Sequence, residues 1–228
     1  MKYPSCEKCP FISEPLVKSI LIENSDILFV GQNPVAEDVR AGYPMCEYSD
    51  AGDILHQYLP TLNKKGLTYS ITNAVKCLVV GEHTPAKKEA SHCKILLDDE
   101  IALVNPKLIV ALGKVALRSL TDSTESVTKQ NGKVIYDSKI PILVCVHPSY
   151  VKHNKSNIAI FEKGILPALH FFDTVVKTEI VEMDTIEPTD EEVGFDIETT
   201  AFRPHDGNIR CFSISNGEKS IFINLEKK

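Results

Sequence analysis

No run of eighteen or more apolar residues occurs in the 228-residue chain, so it contains no segment of bilayer-spanning length. The opening "MKYPSCEKCP" lacks the basic and apolar regions of a secretion signal. Internal repeats and strongly low-complexity tracts are also missing, which removes repeat arrays from consideration. These absences set the expectation of a soluble, cytoplasmic protein with no membrane partner. What is present is a hydrophobic content of 43%, enough for one core and part of a second domain. Seven cysteines make an odd set. In a reducing compartment they are thiols or metal ligands rather than disulfides.

The net charge of −6 is unevenly spread: residues 1–172 carry 19 Lys+Arg against 18 Asp+Glu, and residues 173–228 carry 6 against 13. The acidity belongs to the tail. Its first part, "EIVEMDTIEPTDEE" (179–192), holds Pro188 and has no amphipathic period, so it reads as an interdomain linker. The expected organisation is a domain over 1–172, an acidic linker over 173–192 and a further segment over 193–228.

Four short apolar runs, "DILFV" (26–30), "YSITNAV" (69–75), "LIVAL" (108–112) and "ILVCV" (142–146), read as strands and alternate with helical patterns. The run "HCKILLDDEIALVNP" has helical spacing and stops at Pro106, and "GKVALRSL" opens another helix after Gly113. Continuous apolar strands separated by helices imply an α/β fold, here a three-layer α/β/α sandwich with a central parallel four-stranded sheet. Ligands of such sheets bind beyond the carboxyl ends of the strands. At those ends stand "GQNP", "TNAVKC" and "HPSY".

Cys6-x2-Cys9 is a chelating pair, and Cys77-x15-Cys93 adds two more thiols. The four suit zinc or an iron–sulfur cluster, and a set without metal stays open. Cys46, Cys145 and Cys211 fall outside this set; Cys145, inside an apolar strand, reads as a small buried hydrophobe.

With these motifs in hand, residues 1–172 resemble the uracil-DNA glycosylase superfamily, and their layout is similar to the family 4 enzymes that carry a [4Fe-4S] cluster. The N-terminal CxxC, the cysteine ending "TNAVKC", the fourth cysteine after fifteen intervening residues, "NPKLIVALGKVAL" and "HPSY" carry the likeness. The resemblance implies cluster ligation by Cys6, Cys9, Cys77 and Cys93 and favours the cluster over zinc. It also implies DNA as partner, single- or double-stranded, and a flipped base held in a tight pocket. His147 would donate to uracil O2, and the Asn73 amide would pair with the N3 and O4 edge. Gln32 and Asn33, in the turn "GQNP", would hold the attacking water. Ser149, Tyr150 and Lys152, with His153 and Lys155 nearby, would meet DNA.

Three departures stand out. Family 4 enzymes usually read G-E-[AG]-P-G at the first turn, whereas Gly31-Gln32-Asn33-Pro34-Val35 stands here; an amide cannot take a proton as a carboxylate can. Met45 of "AGYPM" occupies the position whose aromatic ring stacks on uracil, and methionine selects geometry less sharply. Val35, Glu37 and Asp38 stand where the thymine methyl is normally excluded, and Asp38 is a candidate base neighbour. An active glycosylase, a DNA-binding or uracil-sensing module that does not cleave, and a zinc-stabilised structural domain therefore stay open.

Beyond the linker, "GFDIETT" followed by "HDGNIRCFSIS" resembles the first motif of DEDD 3′–5′ exonucleases. Asp196 and Glu198, at i and i+2 on one strand face, would ligate Mg2+ only in a complete domain of ribonuclease H-like fold. The remaining acidic motifs are absent from the 36 residues after 192. The expectation is either a truncated gene product or the N-terminal part of a longer protein similar to some bacteriophage family A DNA polymerases, monomeric, acting in the bacterial host cytoplasm with downstream polymerase domains on the same chain.

Overall fold

The computed structural model describes residues 4–173, apart from 82, 122 and 137, together with the strand segments 194–199, 209–215 and 220–224. The chain divides into two compact units, Met1–Phe171 and Phe172–Lys228.

The first unit runs β1 (Ile27–Gly31), α1 (Ala36–Ala41), α2 (Asp50–His56), α3 (Leu59–Lys64), β2 (Tyr69–Asn73), α4 (Lys87–Ser91), α5 (Lys94–Val104), β3 (Leu108–Leu112), α6 (Lys114–Thr121), α7 (Val127–Gln130), β4 (Val134–Ile135), β5 (Ile142–Cys145), α8 (Ser149–His153) and α9 (Ile158–His170). Its sheet has the order β2-β1-β3-β5-β4. The four strands expected from the apolar runs pair in parallel. The expected count of four is corrected to five, because residues 134–135 add a short antiparallel edge to β5. Two residues of alternating pattern are too few to signal a strand locally; β4 exists through its partner.

Every residue of β1, β3 and β5 is buried. Since successive side chains point to opposite faces, both faces of this central part are covered. Burying a side chain such as Leu28 or Leu143, each fully buried, contributes about 1.5–3 kcal/mol. β2 ends at Asn73 rather than Val75, where the Ala74 and Val75 amides turn to donate to the Gly31 and Gln32 carbonyls at 2.9 and 2.8 Å.

Outside β2 runs a strap that the apolar pattern does not reveal. Ile20 and Ile71 exchange backbone hydrogen bonds in both directions, at 2.9 and 2.8 Å, and Leu16 bridges Cys77 in the same antiparallel sense. No helix among the described residues is long and apolar enough to cross a membrane.

In the second unit, β6 (Gly194–Thr199), β7 (Ile209–Ser215) and β8 (Ser220–Asn224) form an antiparallel sheet in that order. Asp196 and Glu198 lie on one face of β6, opposite Ser213 and Cys211. Their side chains lie outside the described residues, as do those of His153 and Lys155, and the expected linker falls outside them except for Asp173.

Candidate active site and cysteine cavity

Parallel pairing sets the carboxyl ends of β2, β1, β3 and β5 along one edge. Gly31 ends β1 and Gly113 directly follows β3, and these two glycines decide the shape of the site. A Cβ on Gly31 would stand 2.3 Å from Asn73 Oδ1 and 2.2 Å from Met45 Cε. One on Gly113 would stand 3.0 Å from His147 Cβ, at a φ of +90° that itself favours glycine. Asn73 therefore leans from the outer strand over β1, and His147 leans from β5 over β3. The glycines form a floor, with the amide and the imidazole reaching in from opposite sides.

Asn73 is buried, and neither Oδ1 nor Nδ2 has a hydrogen-bond partner among the described residues. Leaving such groups unpaired costs about 1–3 kcal/mol. A donor and an acceptor maintained at that cost are poised for a ligand carrying the complementary pair.

His147 is half-buried, and its Nδ1 lies 2.7 Å from Ser149 Oγ. The Ser149 backbone N–H donates to the same nitrogen at 3.4 Å. An amide N–H can only donate, so Nδ1 accepts and the ring proton resides on Nε2. Burial pushes the His147 pKa down to about 4. At neutral pH the ring is an uncharged donor through Nε2.

Asn33 donates from Nδ2 to the Pro34 carbonyl at 3.0 Å, which leaves Oδ1 as its accepting group. Gln32 contributes its backbone carbonyl to the turn, taking the Val75 amide. Met45 is buried in a left-handed conformation, with φ of 50°, and covers the Asn73 amide. Its backbone is pinned: His56 Nε2 donates to the Met45 carbonyl at 3.1 Å, and Gly52 packs so closely that a Cβ would lie 1.9 Å from the Cys46 carbonyl oxygen.

Asp38 spends both oxygens on backbone amides, Oδ1 on Cys46 at 2.9 Å and Oδ2 on Val35 at 3.1 Å. Its carboxylate fixes the turn that carries Met45. Tyr150 is exposed, and Lys152 is ion-paired with Asp50, joining α8 to the start of α2.

Below the strand ends, Cys6, Cys9, Cys77 and Cys93 line one cavity with Ile12, Leu16, Lys76 and Leu96. Cys6 and Cys9 share a turn closed by the Cys9 amide on the Cys6 carbonyl at 2.9 Å. Cys77 follows β2, and Cys93 directly precedes α5. His92 reaches back to the Ser5 carbonyl at 2.9 Å, clasping the N-terminal turn to the fourth cysteine. Burial raises the Cys93 pKa, and the nearby Cys9 and Cys6 sulfurs push the same way against the Lys76 backbone N–H. Four thiols facing one cavity make a soft donor set. Among the described residues, no three His, Cys, Asp or Glu side chains are grouped so as to hold one metal ion. The missed contributors are Gly31, Gly113 and Lys76; the first two were signalled by a glycine directly ending an apolar run, as in "FVG" and "ALG".

The floor makes a direct prediction. Gly31→Ala should leave the fold intact, because the clashing atoms are the ends of side chains, but it should displace Asn73 and Met45 and lower affinity for a base by about tenfold or more. Titration of labelled DNA and a thermal melt would check the two halves separately.

Comparison with known proteins finds relatives of one kind. The type-4 uracil-DNA glycosylase of Thermotoga maritima is 34% identical over 133 residues, 58% of this chain and 68% of that protein. The type-4 uracil-DNA glycosylase of Pyrobaculum aerophilum is 26% identical over 171 residues, 71% of this chain and 86% of the relative. A type-5 uracil-DNA glycosylase of the same organism matches over 92 residues at 28% identity, 40% of each chain. The profile of the Uracil DNA glycosylase superfamily spans residues 19–170, which takes in all five strands of the first unit and both sides of the glycine floor, and the chain belongs to that superfamily.

Proposed function

We propose that the first unit hydrolyses the N-glycosidic bond of a uracil flipped out of DNA. The observation that carries this reading is the unpaired Asn73 amide, set across the glycine floor from a neutral His147. Uracil presents an N3–H donor beside the O4 acceptor, matching one amide oxygen and one amide N–H; cytosine presents the reverse at that edge. As the bond from C1′ to the base breaks, its electron pair leaves with the base, and the Nε2–H of His147 meets the charge growing on O2. Water held at Asn33 Oδ1 adds to C1′, and its proton passes to solvent, since an amide cannot retain it. Ser149 holds the imidazole in its donating tautomer. Tyr150 and Lys152 stand at the mouth for DNA, with Lys152 exchanging Asp50 for a phosphate.

The four cysteines fit an iron–sulfur centre. The donor set is thiol only, and apart from Lys76 the remaining lining residues, Ile12, Leu16 and Leu96, are apolar, so Cys6, Cys9, Cys77 and Cys93 would be the ligands of such a centre. Such a group would supply folding energy by joining the N-terminal turn, the end of β2 and the start of α5. The same reading takes the second unit as the opening of a polymerase-linked exonuclease domain, supported by Asp196 and Glu198 on one face of β6. Mg2+-dependent nuclease activity from this chain alone would contradict that assignment.

Two observations favour a second reading, a module that senses uracil without cleaving: Met45 closes on Gly31 beside the base-reading amide, and Gln32 stands where the family's turn carries a glutamate. Incubating single-stranded uracil DNA with the protein and treating it with alkali decides between them, because only base release creates a labile strand. Cleavage at uracil but not at thymine supports the glycosylase; binding with an intact strand sinks it. Asn33→Asp should raise base release about tenfold by adding a proton acceptor, with the gain fading as pH drops towards the ordinary aspartate value of about 4. A pH–rate profile measures this.

A further inference from the structure

Lys76 is a charged residue at 3% exposure, and nothing in the reaction above uses it. Its Nζ donates to the Asn73 carbonyl at 2.6 Å, to Thr72 Oγ1 at 2.6 Å and to Glu100 Oε2 at 2.5 Å. Glu100, on α5, also accepts from Thr72 Oγ1 at 2.6 Å and from Ser19 Oγ at 2.7 Å. The network thus draws together the end of β2, the strap outside it and α5.

Two features give the arrangement a purpose. First, β2 stops at Asn73, and the ammonium supplies the short hydrogen bond to that carbonyl, at 2.6 Å against 3.4 Å from the Thr72 hydroxyl, where the side chain enters the pocket. Second, Lys76 lines the cysteine cavity, and its own carbonyl takes the Val17 amide at 3.0 Å. Lys76 precedes Cys77, and Glu100 lies seven residues, two helical turns, beyond Cys93. The base-reading amide and the segments bearing two of the four thiols therefore share one ion pair, in which Lys76 is buried and Glu100 is partly exposed.

Burying the lysine ammonium costs several kcal/mol, and an apolar pair of similar volume is often as stable as an ion pair. Stability alone is a weak reason for the pair. We infer that Lys76, held by Glu100, is a positioning residue: it fixes the Asn73 main chain so that the side-chain amide meets the uracil edge, and it ties that setting to the cysteine cavity. This rests on the assignment of Asn73 as base reader.

Three variants of the full chain separate positioning from simple support. The double variant Lys76→Met/Glu100→Leu removes the donor to Asn73 while keeping an apolar fill. It should melt near the wild-type temperature and keep its visible absorbance. Its preference for single-stranded DNA bearing 2′-fluoro-2′-deoxyuridine over the matching cytidine analogue should fall about tenfold, the weight of a hydrogen bond from a charged donor. Lys76→Met alone should lose both stability and preference. Glu100→Gln strands the amine without its counter-charge but leaves it able to donate, charged or neutral. It should melt earlier yet retain the preference. Hydrogen exchange of the peptide covering 69–77 should quicken in the first two variants only.

Unchanged exchange and unchanged preference in the double variant would overturn the inference, as would parallel loss of stability and preference across all three. Wild-type protein that does not distinguish the two analogues would refute the base-reading assignment instead. In that event the exchange data still decide whether Lys76 holds the strand end.

Discussion

Replacing His147 with alanine is expected to reduce base release by about 10²–10³-fold, the effect of deleting one prepositioned donor to a developing anion. DNA affinity should change little, because the ring lies inside the strand edge and not on the exposed face of α8. Equal losses in release and binding would show that the residue shapes the mouth. The pH dependence adds a second signature. The folded value of about 4 lies below the ordinary 6.5, so between them the unfolded chain binds more protons than the folded one. The stability contributed by the neutral ring is complete above about pH 6.5 and drains away as pH falls through about 4. His147→Ala should flatten that acid limb in melts recorded from pH 7 to pH 4, while wild-type release stays insensitive to this group down to about pH 5.

Cys93→Ser is expected to give colourless protein with a melting temperature lower by ten degrees or more, since metal binding and folding free energy are linked in sites of this kind. The position is demanding: Cys93 precedes α5, its sulfur sits beside those of Cys6 and Cys9, and the neighbouring His92 anchors the Ser5 carbonyl. Iron content and absorbance of protein purified without oxygen check the first half, and calorimetry the second. A serine variant with full absorbance and stability would remove this cysteine from the ligand set. Cys145→Ser is the control, because that thiol lies in β5, donates to the Phe161 carbonyl and does not line the cysteine cavity.

Much of this was legible from local pattern. The four parallel strands announce themselves as apolar runs, and the polar motifs stand directly after them. The four cysteines were recognisable as a set from spacing and resemblance before any contact was known. What escaped has a common cause: it depends on partners distant in sequence. The strap over β2 lies about fifty residues from its partner, as Ile20 and Ile71 show, and Lys76 meets Glu100 across twenty-four positions. Asp38 looked like a base neighbour because it follows the "GQNP" turn. Its engagement with the Cys46 amide, eight residues on, needs the turn to fold back first. Met45 stood out for its chemistry, yet its burial over Asn73 depends on Gly31 and Gly52 lacking side chains.

The strap carries a liability as well as a connection. Its hydrogen bonds with Ile71 occupy the outer margin of β2, and the same length of chain begins at the turn bearing Cys6 and Cys9. Loss of the proposed cluster would slacken this tether and bare the amides and carbonyls along that margin. Oxidative damage to this protein would then surface as clumping between molecules before it surfaced as lost catalysis.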